Sequence, residues 1–112
     1  AFRDLGSIEK VRKKYGVGIL TGSRVIDFEE KPAEPKSSLA ATACYIFRKS
    51  NLAQVQELVE TRNADAPGNL VKYLAQQTEV HGFVFDDYWY DIGSFEALTE
   101  AEKQFTANNS QK

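Results

Sequence analysis

The sequence predicts an α/β fold in which helices pack against a mixed β-sheet. Two β-prone runs are joined by a short glycine-containing loop, and a nearly continuous apolar run follows them. Two helical segments, another β-prone run and a last helical segment complete the order. Strands and helices that alternate along a chain are typical of a sheet covered by helices. The sequence has no internal repeat or low-complexity tract that would indicate another architecture.

Size and composition narrow the class of protein. The chain has 112 residues, is 42% hydrophobic and has a net charge of -2, which indicates one globular domain without the basic field of a nucleic-acid-binding protein. A single cysteine allows no internal disulfide, and no run approaches the roughly 20 apolar residues that cross a bilayer. We therefore expect a cytoplasmic protein that binds neither nucleic acid nor membrane.

The N-terminal part of the chain predicts a short helix and a β-hairpin. Before residue 15, apolar residues have the three-residue spacing of a thin helical stripe, namely Leu5, Ile8 and Val11. From Tyr15 onward, two β-prone runs flank residues 21–23, and a short loop that contains glycine is typical of a hairpin.

The second strand of this hairpin ends in charged residues. A period of two places Ile26, Phe28 and Glu30 on one face, so Glu30 continues the row that faces the core. Pro32 lacks an amide hydrogen and favours an extended conformation at the residue before it. We therefore predict that the strand stops here and that Lys31 leaves its end in an extended conformation.

The middle of the chain predicts a buried strand and two helices. Residues 39–47 are nearly continuously apolar, as in a strand covered on both faces, and Cys44 is expected to be one of its small buried residues. Ser50 is suited to cap a helix that fades in residues 62–68. The apolar stripe of this helix is Leu52, Val55, Leu58 and Val59, and a second helix turns inward Leu70, Val71 and Leu74.

The C-terminal part predicts a strand, a turn and a last helix. Residues 79–85 have the composition of a strand, in which His81 is given a structural role, and residues 86–87 are expected to form a turn. Ser94 is suited to cap the last helix, and residues 106–112 are expected to form a disordered tail. The residues that this helix is expected to bury are Phe95, Leu98, Ala101 and Phe105.

Charged residues at the end of the hairpin are candidates for a binding site. Glu29, Glu30 and Lys31 have an ordinary interpretation as a solvated strand end. A carboxylate in a core-facing row, however, needs hydrogen-bond donors, which the hydroxyl groups of a sugar would supply at a sheet edge. The adjacent ammonium group of Lys31 is suited to a phosphate. Both interpretations stay open on the residues alone.

Asp91 allows two interpretations as well. It is suited to a turn before the last helix, and it is also suited to a hard divalent cation, which prefers oxygen ligands. The G-x-G in residues 16–18 leads into a hairpin and not into a helix, so it does not predict a dinucleotide-binding loop. A hydrolytic triad lacks support because the only histidine, His81, has no serine or cysteine near it in sequence.

Short motifs occur along the chain in a set order: YGV at Tyr15, FEEKP at Phe28, ATACYIF at Ala41 and YWYDIGS at Tyr88. As a set they resemble the C-terminal half of the catalytic domain of the sugar-1-phosphate nucleotidyltransferases, also called nucleotide-sugar pyrophosphorylases. The resemblance covers about residues 15–105 and implies part of a Rossmann-like α/β/α domain. Members of this family join a sugar 1-phosphate to a nucleoside triphosphate, with Mg²⁺ as cofactor, and release pyrophosphate.

The resemblance also implies roles for individual residues. Glu30 would hydrogen-bond sugar hydroxyls, and Lys31 would hold the sugar phosphate. Asp91 would be one of two aspartates that hold Mg²⁺. No residue would act as a covalent nucleophile, because the reaction depends on aligning two polyanions and neutralising their charge. The residues that would line the sugar pocket are Gly16, Ala41, Thr42 and Tyr45.

The sequence departs from the family's pattern in several places. Ala43 stands where many members have glycine, and Ser94 replaces the usual threonine. The glycine-rich loop G-G-x-G-T-R-L, which cradles the triphosphate, does not occur in the chain, and the second metal-binding aspartate is missing with it. We therefore expect a fragment that is inactive alone and that associates with the missing half or with a second copy.

Two other hypotheses stay open. One is a regulatory or ligand-binding module that kept the sugar pocket without catalysis. The other is a structural α/β domain whose motifs match by chance. An intact glycine-rich loop upstream in the gene would favour the enzyme over the binding module.

Overall fold

The computed structural model describes residues 1–61 and 67–110 of the chain. The strands are β1 (Phe2–Asp4), β2 (Gly16–Thr21), β3 (Arg24–Glu30), β4 (Leu39–Ala41) and β5 (Val84–Phe85). The helices are α1 (Ile8–Val11), α2 (Leu52–Thr61), α3 (Pro67–Gln77) and α4 (Phe95–Asn109), with a 3-10 turn at Lys49–Asn51. The described strands form one sheet in the order β3-β2-β4-β1-β5, in which only β1 and β5 are parallel neighbours. The predicted α/β class, a mixed sheet with flanking helices, is confirmed.

β2 and β3 form the predicted hairpin, with residues 22–23 at its turn. The pairing shifts by one residue within the hairpin, which leaves Ile26 without a partner as a β-bulge. This bulge corrects the predicted alternation of side chains. Val25 and Phe28 both face the core, whereas Ile26 is 54% exposed.

One face of the sheet packs against α3. Phe2 and Phe28 from the sheet and Val71 from the helix form a buried cluster there. α3 also buries Leu74, and Leu70 is half-buried, so the predicted inward stripe of this helix is confirmed. Burial of one large apolar side chain stabilises a fold by about 1.5–3 kcal/mol, and this cluster therefore fixes α3 over the hairpin.

The opposite face of the sheet has its own core. Val11 of α1, Val17 of β2 and Ala40 of β4 are buried in this second cluster. Trp89 packs on it, and its ring meets the ring of Tyr15 edge-on with the centroids 5.5 Å apart. Trp89 is therefore fixed beside the start of β2.

The N-terminal segment contains a strand that the sequence did not predict. Phe2–Asp4 pairs with β4 on one side and with β5 on the other, which corrects the expectation of a helix before residue 15. Helical structure is limited to the short α1, in which Val11 is buried and Ile8 is exposed. Phe2–Asp4 is extended because it pairs with strands that are distant in sequence, and the spacing of nearby apolar residues does not indicate such partners.

The apolar run of residues 39–47 is a strand only in β4. Ala43 has a φ of 60°, a left-handed conformation that interrupts extended structure. Beyond β4, Cys44 and Ile46 are exposed, which corrects both the predicted long buried strand and the buried cysteine. Within residues 1–61 and 67–110, no strand pairs with residues 42–47.

α2 and α4 expose most of the apolar stripes that the sequence predicts to be buried. In α2, Leu58 is buried, but Val59 is 68% exposed. No residue of α4 is buried, which corrects the predicted core residues Phe95, Leu98, Ala101 and Phe105. The predicted cap of this helix is confirmed, because the Ser94 hydroxyl accepts a backbone N–H from the first turn at 3.1 Å.

The segment before β5 is attached to the hairpin turn. His81 forms an isolated β-bridge with Arg24, and its Nδ1 lies 2.9 Å from Ser23 Oγ. These contacts are consistent with the structural role predicted for His81, although regular strand structure is limited to β5.

The chain ends in α4, which continues through residue 109 into the predicted tail. Residues 111–112 lie outside the described residues, as do residues 62–66, the first five of the segment 62–68 in which α2 was predicted to end. The last two residues of that segment, Pro67 and Gly68, begin α3. None of the helices described is long and apolar enough to cross a membrane.

Candidate functional site

The end of the hairpin brings the first predicted site residues together. Gly16 is paired with Glu30 across β2 and β3. A Cβ at Gly16 would lie 2.5 Å from Phe28 Cζ and 3.3 Å from Glu30 Oε2, so both side chains lie over this glycine. Gly16 therefore helps to position Glu30 because it has no side chain of its own.

Glu30 lies at the N-terminal turn of α3. A Cβ at Gly68, the second residue of this helix, would collide with Glu30 Oε2 and would lie 2.5 Å from Phe28 Cε1. The N-terminal end of a helix has a partial positive charge, which favours a carboxylate. Glu30 itself is exposed, and its carboxylate has no hydrogen-bond or ion-pair partner among the described residues. Its oxygens are open to donors from a ligand.

Tyr45 approaches Glu30 from the loop after β4. Partial burial raises the pKa of the Tyr45 hydroxyl, and the charges of Glu30 and Cys44 raise it further. Tyr45 also packs on the buried cluster beneath α3. This cluster includes Phe28, whose ring lies over Gly16.

Lys31 leaves the hairpin, but it is not extended as the sequence predicts. Its φ is 44°, in the left-handed region, although the following Pro32 favours an extended conformation. The Lys31 amide donates a hydrogen bond to the carbonyl of Tyr15 at 3.1 Å. This bond holds the turn in place, and the side chain of Lys31 is exposed beyond it.

Asp91 is exposed and follows Trp89 by two positions. Trp89 packs on Tyr15, whose carbonyl accepts the Lys31 amide, so Trp89 and Lys31 lie at the same end of the hairpin. No hydrogen bond or ion pair of the described chain joins Asp91 to Glu30 or Lys31. The same residues contain no group of three His, Cys, Asp or Glu side chains that would hold a metal ion. They therefore form no complete metal site.

Ala41 and Tyr45 also line a pocket of about 430 Å³ between α3 and the loop after β4. Apolar side chains such as Phe2 and Leu74 and polar ones such as Arg48 complete its lining. The other predicted site residues do not line it. Tyr45 belongs both to this pocket and to the hairpin end, so the pocket adjoins the candidate site without containing Glu30.

Thr42 makes structural hydrogen bonds. Its amide and its hydroxyl both donate to the carbonyl of Ala1, at 3.2 and 3.0 Å, and the residue is 8% exposed.

The predicted site residues divide into those that lie at the hairpin end and those that do not. The first set is Gly16, Glu30 and Tyr45, with Lys31 directly after them, and the second is Ala41, Thr42 and Asp91.

Sequence reasoning missed Gly68, and it did not predict the burial of Glu29. Gly68 packs under Glu30. The sequence did offer a signal for it, because glycine is an unfavourable residue in a helix. Glu29 lies on the opposite face of β3, where its Oε1 is 3.5 Å from Lys36 Nζ. Its Oε2 is buried and has no hydrogen-bond partner in the part of the chain described. The period of two separates Glu29 from Glu30, but it does not predict that burial.

A comparison with models of protein families finds a match to the family described as nucleotidyl transferase. The match extends over residues 6–108, which is most of the chain. It includes every residue that the sequence predicts for the site.

Proposed function

The chain belongs to the nucleotidyl transferase family, and we propose that it provides the sugar-phosphate-binding part of an enzyme that couples a sugar 1-phosphate to a nucleoside triphosphate. The observation that carries this proposal is the pairing of Gly16 with Glu30 at the hairpin end, with Lys31 next in the chain. A carboxylate and an aromatic hydroxyl beside a glycine are suited to a sugar, and an adjacent ammonium group is suited to a phosphate.

Glu30 supplies acceptors for sugar hydroxyls in this proposal. An ionised carboxylate accepts hydrogen bonds at both oxygens, and Gly16 and Gly68 leave it room at the start of α3. A tyrosine hydroxyl is protonated at physiological pH, and the raised pKa of Tyr45 keeps it so to higher pH, so this hydroxyl offers a donor. Together they provide a donor and acceptors to one face of a sugar.

Lys31 holds the phosphate of the sugar 1-phosphate. An oxygen of that phosphate attacks the α-phosphorus of the triphosphate. A new phosphorus–oxygen bond forms as the bond to the β-phosphate breaks, and pyrophosphate leaves with that electron pair. The ammonium group of Lys31 reduces the repulsion between the two polyanions and fixes one of them, so no covalent nucleophile is needed.

Asp91 is proposed as one ligand of Mg²⁺. Its carboxylate is exposed, and Mg²⁺ is usually bound through one or two protein carboxylates together with phosphate oxygens and water. A lone carboxylate therefore fits this mode of binding, although it is not a complete site. The bound ion would supply charge neutralisation at the phosphates. Asp91 follows Trp89 by two positions, and Trp89 contacts Tyr15 near this end of the hairpin.

Pyrophosphate release by the full gene product tests the proposal. We expect release that depends on both a sugar 1-phosphate and a nucleoside triphosphate. Lys31→Ala is expected to raise the KM for the sugar 1-phosphate about tenfold, the effect of one charge-assisted contact. Lys49→Ala removes another exposed lysine, located in the 3-10 turn before α2, and should leave the KM unchanged. Equal KM values for Lys31→Ala and wild type would reject the role of Lys31.

A non-catalytic sugar-phosphate-binding module is the second candidate function. This candidate uses the same residues at the hairpin end, Glu30 and Lys31, and differs from the enzyme only in lacking the transfer reaction. Saturable binding of a sugar 1-phosphate by the full gene product, without release of pyrophosphate, would support this candidate and reject the enzyme.

A further inference from the structure

The hairpin continues past its strand ends and joins two lysines. Beyond the last paired residues of β2 and β3, the Lys31 amide donates to Tyr15 O at 3.1 Å. The Lys13 amide donates to Pro32 O at 3.0 Å. These two bonds place Lys13 beside Pro32 and therefore one position from Lys31.

Both lysines have left-handed backbone conformations. The φ angle is 57° at Lys13 and 44° at Lys31. A left-handed residue with a Cβ costs about 1–2 kcal/mol, and a glycine at the same position would avoid this cost. Such strain is found preferentially at binding and catalytic sites. The hydrogen bonds to Tyr15 and Pro32 hold both lysines in this conformation despite its cost.

The charges around these lysines favour an anion. Both side chains are exposed, and no ion pair engages either of them among the described residues. Lys14 adds a third exposed cation. Glu29 is engaged by Lys36, and the Glu30 carboxylate lies at the start of α3. Three exposed lysines are therefore gathered at this end of the hairpin, in a chain with a net charge of -2.

We propose that Lys13 and Lys31 bind one phosphoryl group together, with Lys13 as a second cation on the phosphate of the sugar 1-phosphate. Two ammonium groups balance the charge of a phosphate monoester dianion, and their flexible stems let them adjust around its terminal oxygens. This inference rests on the proposed function, which gives the sugar phosphate to Lys31 alone.

Titration of the chain with inorganic phosphate, followed by the amide chemical shifts of residues 13–15, tests this inference. Lys13→Gly removes the ammonium group and the backbone strain together, so weaker binding would not result from a less stable fold. We expect Lys13→Gly to bind phosphate about threefold to tenfold more weakly than wild type. Lys13→Arg should bind almost as well as wild type, and Lys49→Ala is the control for loss of a distant lysine.

Salt dependence separates a charge contact from a packing effect. At about 0.5 M salt, charges are screened over a few ångströms, so the phosphate affinities of wild type and Lys13→Gly should converge. An affinity difference that persists unchanged at this salt concentration would contradict a role for the ammonium group.

Glucose 1-phosphate and ATP are two further probes, because each substrate of the proposed reaction has phosphoryl groups. We expect Lys13→Gly to weaken binding of glucose 1-phosphate as much as binding of inorganic phosphate. A loss confined to ATP would overturn the assignment to the sugar phosphate.

The inference and the proposed function fail in different ways. Phosphate binding that is weakened by Lys31→Ala and unchanged by Lys13→Gly overturns the inference and leaves the proposed function intact. A wild-type chain that binds no phosphate also overturns the inference, and the pyrophosphate assay of the full gene product then decides the proposed function.

Discussion

Ala43 has a β-carbon in a backbone conformation that glycine adopts more easily. Its φ is 60°, and a left-handed alanine costs about 1–2 kcal/mol. Substitution by glycine removes this cost. The unfolded chain of the glycine variant has more conformational entropy, however, and this offsets part of the gain in stability. We therefore predict that Ala43→Gly raises the free energy of unfolding by about 0.5–1 kcal/mol in urea denaturation.

Ala53→Gly, at an exposed position in α2, is the matched control for this substitution. It should lower the free energy of unfolding by about 1 kcal/mol, as glycine does within a helix. A destabilised Ala43→Gly variant would contradict the left-handed conformation of residue 43.

Tyr45 reports the approach of Glu30. Burial, followed by the charges of Glu30 and Cys44, raises the pKa of the Tyr45 hydroxyl. The protonated hydroxyl makes its full contribution to the free energy of unfolding below the unfolded-state pKa of about 10. It is lost as the pH rises through the higher folded-state pKa. We predict a decrease in the free energy of unfolding above about pH 10, and this decrease should be smaller in Tyr45→Phe.

An ultraviolet titration isolates the part played by Glu30. The difference between the spectra of the wild-type chain and of the Tyr45→Phe variant gives the ionisation of the Tyr45 hydroxyl. Glu30→Gln should move that ionisation to lower pH because it removes a negative charge. The same Tyr45 pKa with and without the Glu30 carboxylate would place the two side chains apart.

The contact of α3 with β3 depends on a glycine. An alanine Cβ at Gly68 would meet the ends of two side chains, Glu30 and Phe28. Glu30 is exposed and can move aside, but Phe28 is buried and cannot. Gly68→Ala should therefore lower the free energy of unfolding by about 1–3 kcal/mol, even though alanine is the better helix former.

Urea denaturation of Gly68→Ala and Gly93→Ala checks this contact. A Cβ at Gly93 would meet no atom within 4 Å, so this control should stay within about 0.5 kcal/mol of wild type. If Gly68→Ala were as stable as the control, α3 would not be seated on Phe28 as described.

Elements with local signals could be predicted from the sequence, and elements that depend on distant partners could not. The hairpin follows from two β-prone runs around a short loop, and α3 follows from its apolar stripe. The bulge at Ile26 depends on how two strands pair, and no local pattern reports it. The apolar run after β4 predicts a buried strand, but the described sheet offers residues 42–47 no partner.

The candidate site divides in the same way. The hairpin could be predicted from the sequence, but its register could not. A regular hairpin from the same turn would pair Gly16 with Glu29, and only the bulge at Ile26 brings Gly16 opposite Glu30. Gly68 and Tyr45 reach Glu30 only through the packing of α3 and of the loop after β4. Lys31 was expected to be extended because of the following proline, but a hydrogen bond to the other strand outweighs that preference.

The whole molecule is less compact than a closed domain of its length. Its radius of gyration is 15.7 Å, whereas a compact domain of this size has about 13 Å. α4 buries none of its residues, and Phe105 is 71% exposed on it. Exposed apolar side chains in such number mark surfaces that associate. We therefore predict that the chain self-associates in sedimentation equilibrium as its concentration rises.

Phe105→Glu should weaken this self-association because it places a charge among the exposed apolar side chains of α4. Ala107→Glu adds the same charge on the opposite side of the helix, where it should have little effect. A wild-type chain that stays monomeric at every concentration would contradict the prediction.

The most direct test concerns the central claim that a sugar 1-phosphate lies across the hairpin end, with its hydroxyls at Glu30 and its phosphate at Lys31. The measurement is a titration of the chain with a panel of hexose 1-phosphates, followed by amide chemical shifts. We predict that a binding member of the panel shifts the amides of Gly16, Glu30, Lys31 and Tyr45. Shifts confined to the pocket around Leu74, or no shift with any member of the panel, would contradict the claim.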